Sequence, residues 1–280
     1  MPDRTWLITG TSTGIGRALA ETVLERGDRV AATVRTPGAL APLAGTAGDR
    51  LLPLTLDMTD PAGITRAVER TRDAFGRIDV VVSNAGYGLF GAAEEVTEEQ
   101  IERQLGTNLL GPIRLARAVL PQLRAQGGGR FVQISSVGGL TTLPHLSLYH
   151  ASKWGVEGFF EALRSEVEPF GVQVTLVEPG TVRTDFAGRS GDSAAPLEAY
   201  AGTPAAVIRQ VIEQGAVPAA GDPGKVARAV ADLADLERAP LRLVLGSDAF
   251  ALVQDALRRR LGSLEEQKDI ALSTDADLPA

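Results

Sequence analysis

Short apolar runs alternate with longer segments of helical periodicity along much of the chain. The runs are rich in Val, Ile and Leu, which is typical of strands buried on both faces of a sheet. The predicted strands are Thr5–Thr9, Arg29–Val34, Leu51–Leu56, Asp79–Val82, Phe131–Ser135 and Val172–Val177. The predicted helices are Gly14–Arg26, Ile64–Phe75, Glu98–Gln126 and Tyr149–Phe170.

Local signals at the ends of these elements support the assignment. Gly27, Gly76 and Gly171 each stand at a helix-to-strand junction, where a left-handed cap favours glycine. Thr97 and Gln100 predict a capping box at the start of the third helix. The repeated strand, helix, glycine, strand unit predicts an α/β fold: a doubly wound parallel β-sheet with helices on both faces.

The pattern contains no repeat and no linker, so residues 1–280 are expected to form a single domain. Residues 187–223 are rich in Pro, Gly and Ala and predict an insertion, which is either a mobile lid over a substrate or a passive surface loop. Residues 268–280 are expected to form a polar C-terminal tail.

Composition excludes several classes of function. The chain lacks cysteine and has two histidines, His145 and His150, so thiolate chemistry is excluded and no metal site is expected. The net charge of −7 argues against nucleic-acid binding. No apolar run is long enough to span a membrane and no secretory pattern is present, so a cytoplasmic protein is expected.

A glycine-rich loop follows the first predicted strand and opens the first helix. Glycines let a backbone approach a pyrophosphate, which the helix N-terminus attracts. The spacing Gly-x-x-x-Gly-x-Gly differs from the commoner dinucleotide fingerprint, so a plain strand-to-helix turn stays open as an alternative. The residues that would contact a cofactor here are Gly10, Ser12, Thr13, Gly14, Ile15 and Gly16.

The same loop also fits the Gly-x-Ser-x-Gly elbow of a serine hydrolase. Under that alternative Ser12 is the nucleophile, Asp79 orients the base, and His145 or His150 is the base. Two points weigh against it: dinucleotide folds bind phosphate after the first strand, and neither histidine lies in a motif of its own.

Tyr149 and Lys153 are four residues apart at the start of a predicted helix and therefore share a face. A phenol is a poor base at neutral pH, and a neighbouring ammonium together with a nicotinamide cation would lower its pKa. In the opposite direction the phenol would donate a proton to an alkoxide. A chance pairing of two surface residues would give the same spacing.

These motifs together resemble the short-chain dehydrogenase/reductase family from Thr5 to about Phe186, with a nearest likeness to its hydroxysteroid and retinol dehydrogenases. The resemblance implies a Rossmann-type fold and hydride transfer between a secondary alcohol and a ketone or aldehyde. It also implies a serine that binds the substrate oxygen and an asparagine that holds a relay water. The implied catalytic residues are Asn108, Ser136, Tyr149 and Lys153.

The resemblance further implies the remaining cofactor contacts. Besides the loop and the Tyr149–Lys153 pair, these are Asp57, Met58, Asn84, Ala85, Gly86, Pro179, Gly180, Val182 and Thr184. The second strand ends in Val34, where an NAD enzyme carries an acid, and Arg35 follows. A guanidinium suits a 2′-phosphate, so NADP (NADPH) is favoured over NAD, unless Arg35 is only a solvated cation.

The likeness also implies an apolar carbonyl or alcohol substrate and a homodimer or homotetramer. Residues that would line the substrate site, unless they belong to the core, are Leu89, Phe90, His145, Leu146 and Phe186. A third alternative is a catalytically silent nucleotide-binding protein. Such proteins usually lose the tyrosine and lysine, and this chain has both.

Overall fold

The computed structural model describes residues 3–184, 186 and 191–276. Its strands are β1 (Thr5–Ile8), β2 (Arg29–Val34), β3 (Leu51–Thr55), β4 (Val80–Ser83), β5 (Leu89–Phe90), β6 (Gly129–Ile134), β7 (Val172–Pro179), β8 (Asp192–Ser193) and β9 (Arg242–Leu245). Its helices are α1 (Gly14–Glu25), α2 (Ala41–Ala47), α3 (Pro61–Phe75), α4 (Glu98–Leu105), α5 (Gly111–Ala125), α6 (Ser147–Val167), α7 (Pro204–Glu213), α8 (Pro223–Asp232), α9 (Ser247–Glu266) and α10 (Lys268–Leu272).

The described residues form a seven-stranded parallel sheet in the order β3-β2-β1-β4-β6-β7-β9. In the centre, Leu7 of β1 lies opposite Ala31 of β2 and Val81 of β4. Successive strands are added outward on both sides of β1, so a crevice opens between the carboxyl ends of β1 and β4. The doubly wound α/β prediction is confirmed.

Helices cover both faces of the sheet and enclose two apolar cores. Trp6 and Ile8 point to the face that packs against α1 and α8, whereas Leu7 points to the face that packs against α3, α5 and α6. This alternation is the two-residue period of a strand, and both of its phases are apolar because both faces are covered. The indole Nε1 of Trp6 donates to Asp28 Oδ2 at 2.8 Å, which satisfies its polar edge.

The predicted cap signals at Gly76, Gly171 and Thr97 are confirmed. Gly76 and Gly171 have φ angles of +79° and +73°, the left-handed conformation that ends a helix. At the start of α4, Thr97 Oγ1 accepts from the Gln100 backbone N at 3.3 Å, and the Gln100 side chain accepts from the Thr97 N at 3.1 Å. This is the reciprocal bonding of a capping box.

Three regions differ from the sequence pattern. The predicted helix Glu98–Gln126 is interrupted by a π-helical turn, Gly106–Leu110, which joins α4 to α5. Of the insertion 187–223, the described residues contain β8, which pairs with β5, and α7. The tail begins with α10. No helix among the described residues combines the length and apolar character needed to cross a membrane.

Candidate active site

The glycine loop lies against the end of β4. Gly10 has a φ of +70°, and a Cβ atom there would lie 2.7 Å from the Ala85 Cα atom, so the backbones meet closely. Thr13 precedes α1, and its side chain makes no capping hydrogen bond. The loop therefore offers glycine backbone at a close approach and uncapped N–H groups at a helix N-terminus, the features that a pyrophosphate needs.

Asn84 joins this loop to the sheet. Its Nδ2 atom donates to the carbonyl oxygens of Thr9 and Gly10, both at 2.9 Å. Thr9 Oγ1 in turn accepts from the backbone N atoms of Asn84 and Ala85, at 2.9 and 3.0 Å. Four hydrogen bonds thus fix the end of β4 against the end of β1, and Asn84 has no side-chain donor left for a ligand.

Tyr149 and Lys153 lie in the first turns of α6, and both are buried. The Lys153 Nζ atom donates to the Ile134 carbonyl of β6 at 3.1 Å. It lies 5.7 Å from the centre of the Tyr149 ring. The predicted pair is therefore held together against the end of β6, where the carboxyl ends of the strands converge.

Burial dominates the ionisation of both groups. It raises the pKa of Tyr149 to about 12, although the Ser136 hydroxyl acts in the opposite direction. It lowers the pKa of Lys153 to about 8, against the attraction of Glu157. The expected lowering of the phenol pKa by Lys153 is not found in the chain alone, where burial and Ser136 are the causes that act on this pKa. The phenol is thus protonated at neutral pH and can act as an acid.

Ser136 follows β6 and caps a short turn, its Oγ accepting from the Gly138 N at 3.0 Å. It is partly exposed beside the phenol. The preceding residue, Ser135, is buried in the sheet and its backbone N donates to the Val177 carbonyl at 2.8 Å. Of the two serines, Ser136 is the one beside Tyr149.

Asn108 lies in the π-helical turn and is buried. Its Nδ2 donates to the Tyr87 carbonyl at 2.8 Å and to the Ser152 hydroxyl at 3.4 Å. Its Oδ1 accepts from the Tyr87 N at 3.1 Å. Asn108 therefore connects the loop after β4 to the residue next to Lys153. π turns often occur at functional sites because they redirect a side chain.

The predicted adenosine contacts lie beyond the carboxyl ends of β2 and β3. Arg35 is exposed and, among the described residues, makes no ion pair. Asp57 is exposed, and its Oδ1 accepts from the Thr59 N and Oγ1 at 2.8 and 2.7 Å. The Met58 side chain is buried against Gly111, so only the backbone of Met58 can contact a ligand.

The segment from Pro179 to Thr184 leads back to the glycine loop. A Cβ atom on Gly14 would lie 3.4 Å from the Thr184 methyl group. Asp248, in the first turn of α9, accepts from the Thr181 N at 2.7 Å, and its Oδ1 would lie 2.3 Å from a Cβ atom on Gly180. Sequence reasoning did not find Asp248, because no motif marks it. Asp248 helps to fix this segment, together with backbone hydrogen bonds to Gly221 and Leu245.

Phe186 lies edge-on against Tyr149, with ring centres 5.7 Å apart. A Cβ atom on Gly88 would lie 2.8 Å from Phe90 and 3.1 Å from Phe186. Phe186 therefore forms an apolar wall beside the phenol, and Phe90 lies close to Phe186 at Gly88. Leu89 and Phe90 are themselves buried in β5.

The hydrolase alternative is not supported by the geometry. Ser12 is exposed after β1, whereas Asp79 lies at the opposite end of the sheet, where it accepts from the Thr5 N at 2.9 Å. The Nδ1 atom of His150 donates to the Gly138 carbonyl at 2.8 Å, and its Nε2 accepts from the Leu143 N at 2.9 Å. Both nitrogens are thus occupied, and no triad forms.

His145 faces Glu95, with 3.9 Å between Nδ1 and Oε2. The Glu95 side chain is fully buried, and it accepts from the backbone N atoms of Ala92 and Leu197 at 2.7 and 3.0 Å and from Arg209. Despite burial, these hydrogen bonds hold the Glu95 pKa at about 2. Glu95 thus attaches both α7, through Arg209, and the chain that precedes α7, through Leu197, to the body of the domain.

No group of acidic or histidine side chains in the described ranges has the arrangement of a metal site.

Comparison with known proteins places these features in context. The family model for short chain dehydrogenase matches residues 4–194. Oxidoreductase BOA17 of Botryotinia fuckeliana (strain B05.10) is 38% identical over 270 residues, covering 96% of this chain and 98% of the relative. A short-chain dehydrogenase structure from Streptomyces avermitilis has a TM-score of 0.90 at 38% identity, covering 98% of this chain and 99% of that one. An alcohol dehydrogenase from the archaeon Thermococcus sibiricus, complexed with 5-hydroxy-NADP, has a TM-score of 0.71 at 27% identity, covering 86% of this chain and 95% of that one.

Proposed function

Because this chain belongs to the short-chain dehydrogenase family and is an NAD(P)-dependent oxidoreductase, we propose that it interconverts an apolar ketone or aldehyde and its alcohol with NADP(H). The observation that carries the proposal is the buried Tyr149 phenol with Lys153 and Ser136 around it. A neutral phenol beside a charged ammonium is a proton donor suited to a developing alkoxide.

The glycine loop and the Pro179–Thr184 segment are the proposed cofactor site. The uncapped N-terminus of α1 would bind the pyrophosphate, and the backbone around Val182 with the Thr184 hydroxyl would hold the nicotinamide amide. The bound cofactor supplies or accepts the hydride. Asp57 and the Met58 backbone are proposed to contact the adenine.

The proposed acid–base chemistry uses four side chains of this chain. In reduction, Tyr149 donates its proton to the substrate oxygen, while Ser136 donates a hydrogen bond to the same oxygen. Lys153 keeps a positive charge beside the phenolate that is left. Tyr149 then regains a proton from solvent along Lys153 and a water held by Asn108. In oxidation every proton moves the opposite way.

The proposed preference for NADP rests on Arg35. Its guanidinium is exposed after β2, and the strand ends in Val34 without an acid that would repel a phosphate. The solved relative from Thermococcus sibiricus contains an NADP derivative, which supports a nicotinamide dinucleotide as the cofactor. Phe186 against the phenol, with Phe90 close to it at Gly88, supports an apolar substrate.

Two further parts complete the proposal: self-association as a homodimer or homotetramer, which is carried from the family resemblance, and a cytoplasmic location, which is carried from the sequence pattern. Size-exclusion chromatography with light scattering would measure the molecular mass of the protein in solution. A monomeric mass at every protein concentration used in the assay would contradict self-association.

Fluorescence titration of the purified protein with NADPH and with NADH tests the cofactor. We expect NADPH to bind more tightly than NADH. Arg35→Ala is expected to weaken the affinity for NADPH by about tenfold, because a charge-assisted hydrogen bond is lost, and to leave the affinity for NADH unchanged. Arg70→Ala, which removes an exposed arginine on α3, is the matched control. Tighter NADH binding by the wild type would overturn the NADP preference but not the reaction.

A further inference from the structure

A buried acidic cluster lies one helical turn beyond Lys153. Glu157, on the same face of α6, is 4% exposed, and Glu178 of β7 is fully buried. Arg242 of β9 donates to Glu157, and to Glu178 and Glu161 at 2.7 Å each. A single guanidinium therefore joins carboxyl groups from α6 and β7 directly below the proposed active site.

The charges around Glu157 come from three elements. Lys153 and Glu161 approach it along α6, Glu178 faces it from β7, and Arg242 faces it from β9. Burial and the adjacent Glu157 carboxylate raise the pKa of Glu178. Glu178 thus takes up a proton more readily than an ordinary carboxyl group, and Glu157 is the carboxyl group of the pair that lies on the same helix as Lys153.

Glu157 also packs beneath the turn that starts at Ser136. A Cβ atom on Gly139 would lie 2.7 Å from the Glu157 Cγ atom, 2.9 Å from its Oε1 and 3.0 Å from the Ser135 Oγ. The Oε1 atom is buried and has no hydrogen-bond partner among the described residues. Such an arrangement is costly for a carboxylate unless a nearby positive charge compensates it.

We propose that Glu157 is a positioning residue for Lys153: its buried carboxylate keeps the Lys153 side chain charged in a site that would otherwise neutralise it. The Lys153 Nζ atom has one hydrogen-bond acceptor in the described chain, the Ile134 carbonyl, and burial opposes its charge. Arg242 holds Glu157 in place from the opposite side. The inference deepens the proposed function, on which the role of Lys153 rests.

The lysine content of the chain allows a direct test without substrate or cofactor. The only lysines are Lys153, Lys225 and Lys268, and the last two are exposed. Protein labelled with ¹³C at lysine Cε would give one resonance for each, and Lys153→Met assigns the buried one. We expect Glu157→Gln to lower the pKa of Lys153 by about one unit, because a nearby carboxylate is neutralised, while Lys225 and Lys268 titrate as before.

Glu161→Gln is the matched control, since Glu161 binds the same arginine from an exposed position on the same helix. We expect Glu161→Gln to change the pKa of Lys153 by no more than about a fifth of the change caused by Glu157→Gln, because the Glu161 carboxylate is solvated. Near-ultraviolet circular dichroism checks that each variant is folded. If Glu157→Gln fails to fold, Glu157→Met removes the charge with an apolar side chain of similar length and is expected to lower the pKa of Lys153 in the same way.

An unchanged Lys153 titration in folded Glu157→Gln would overturn the inference, as would an equal shift in Glu161→Gln. If Glu157→Gln does not fold, a lowered Lys153 pKa in folded Glu157→Met supports the inference, and an unchanged Lys153 pKa in that variant would overturn it. Failure of the proposed function is separate, because it would be seen as absence of NADP(H) binding or hydride transfer in the wild type. The titration itself requires neither.

Discussion

A Cβ atom on Gly16 would lie 2.3 Å from the Nδ2 atom of Asn84, the same nitrogen that joins the glycine loop to β4. Gly16→Ala therefore forces the amide away from the Thr9 and Gly10 carbonyls. We expect a loss of about 2 kcal/mol of stability and a melting temperature about 5 °C lower, measured by calorimetry, together with weaker nucleotide binding.

Gly158→Ala provides the control for that substitution. Gly158 lies in the middle of α6, and a Cβ atom there meets no atom within 4 Å. Alanine is the better helix former, so the melting temperature is expected to rise slightly. A similar fall in both variants would show that the contact with Asn84 is not the cause.

Removal of the Tyr149 hydroxyl tests the proposed acid. Tyr149→Phe keeps the ring, and hence the contact with Phe186, but has no proton to donate. We expect turnover of the best ketone from an apolar panel to fall at least about a hundredfold, while NADPH binding stays within about twofold. Turnover at the wild-type rate would refute the mechanism.

The pH profile tests the charge on Lys153. Burial lowers the pKa of Lys153 to about 8 and raises that of Tyr149 to about 12. The ammonium is charged below the lower value, so kcat/KM for NADPH, which reports on the free enzyme, is expected to fall above about pH 8. Tyr149 stays protonated over the same range. A profile that is level to about pH 10 would contradict this assignment.

The contacts of Glu95 make a prediction about acid stability. Its folded pKa of about 2 lies below the ordinary value of 4.5, so its contribution is present above about pH 5 and is lost as pH falls toward about 2. Glu95→Gln should lower the urea unfolding free energy at neutral pH by about 2 kcal/mol, because Arg209 loses its charged partner.

The same variant should also lack the wild-type loss of stability between about pH 5 and about pH 2. Glu94→Gln, on the preceding exposed residue, is the comparison. Equal pH dependence in all three proteins would indicate that Glu95 is not the group that titrates.

Local patterns were enough to predict the central sheet. The strands from Thr5 to Val177 are apolar runs, and Gly76 and Gly171 mark where helices end. By contrast, β9 is a four-residue strand that follows a proline-containing loop, and its apolar residues fit a helix equally well. It joins the sheet only because β7 is already in place.

In the candidate site, too, the contacts between residues close in sequence could be predicted, and those between distant residues could not. Tyr149 and Lys153 are neighbours on one helix, so their spacing alone predicts that they meet. Asp248 contacts Thr181 from 67 positions away, and Arg242 reaches Glu178 from 64 positions away. Such contacts depend on tertiary packing, and no periodicity or motif in one sequence contains them.

The π turn before α5 has a consequence for how this chain tolerates changes of length. The Gly111 N donates to the Gly106 carbonyl, five residues back, so the turn holds one residue more than an α turn. Deleting one residue there would replace the widened turn with a regular α turn and change the directions of the side chains that the π turn presents. Asn108 would lose its hydrogen bonds to the Tyr87 backbone, although no residue would have been substituted. At this point the chain encodes its site by a residue count as well as by residue identity, and a one-residue deletion should be more damaging than most substitutions.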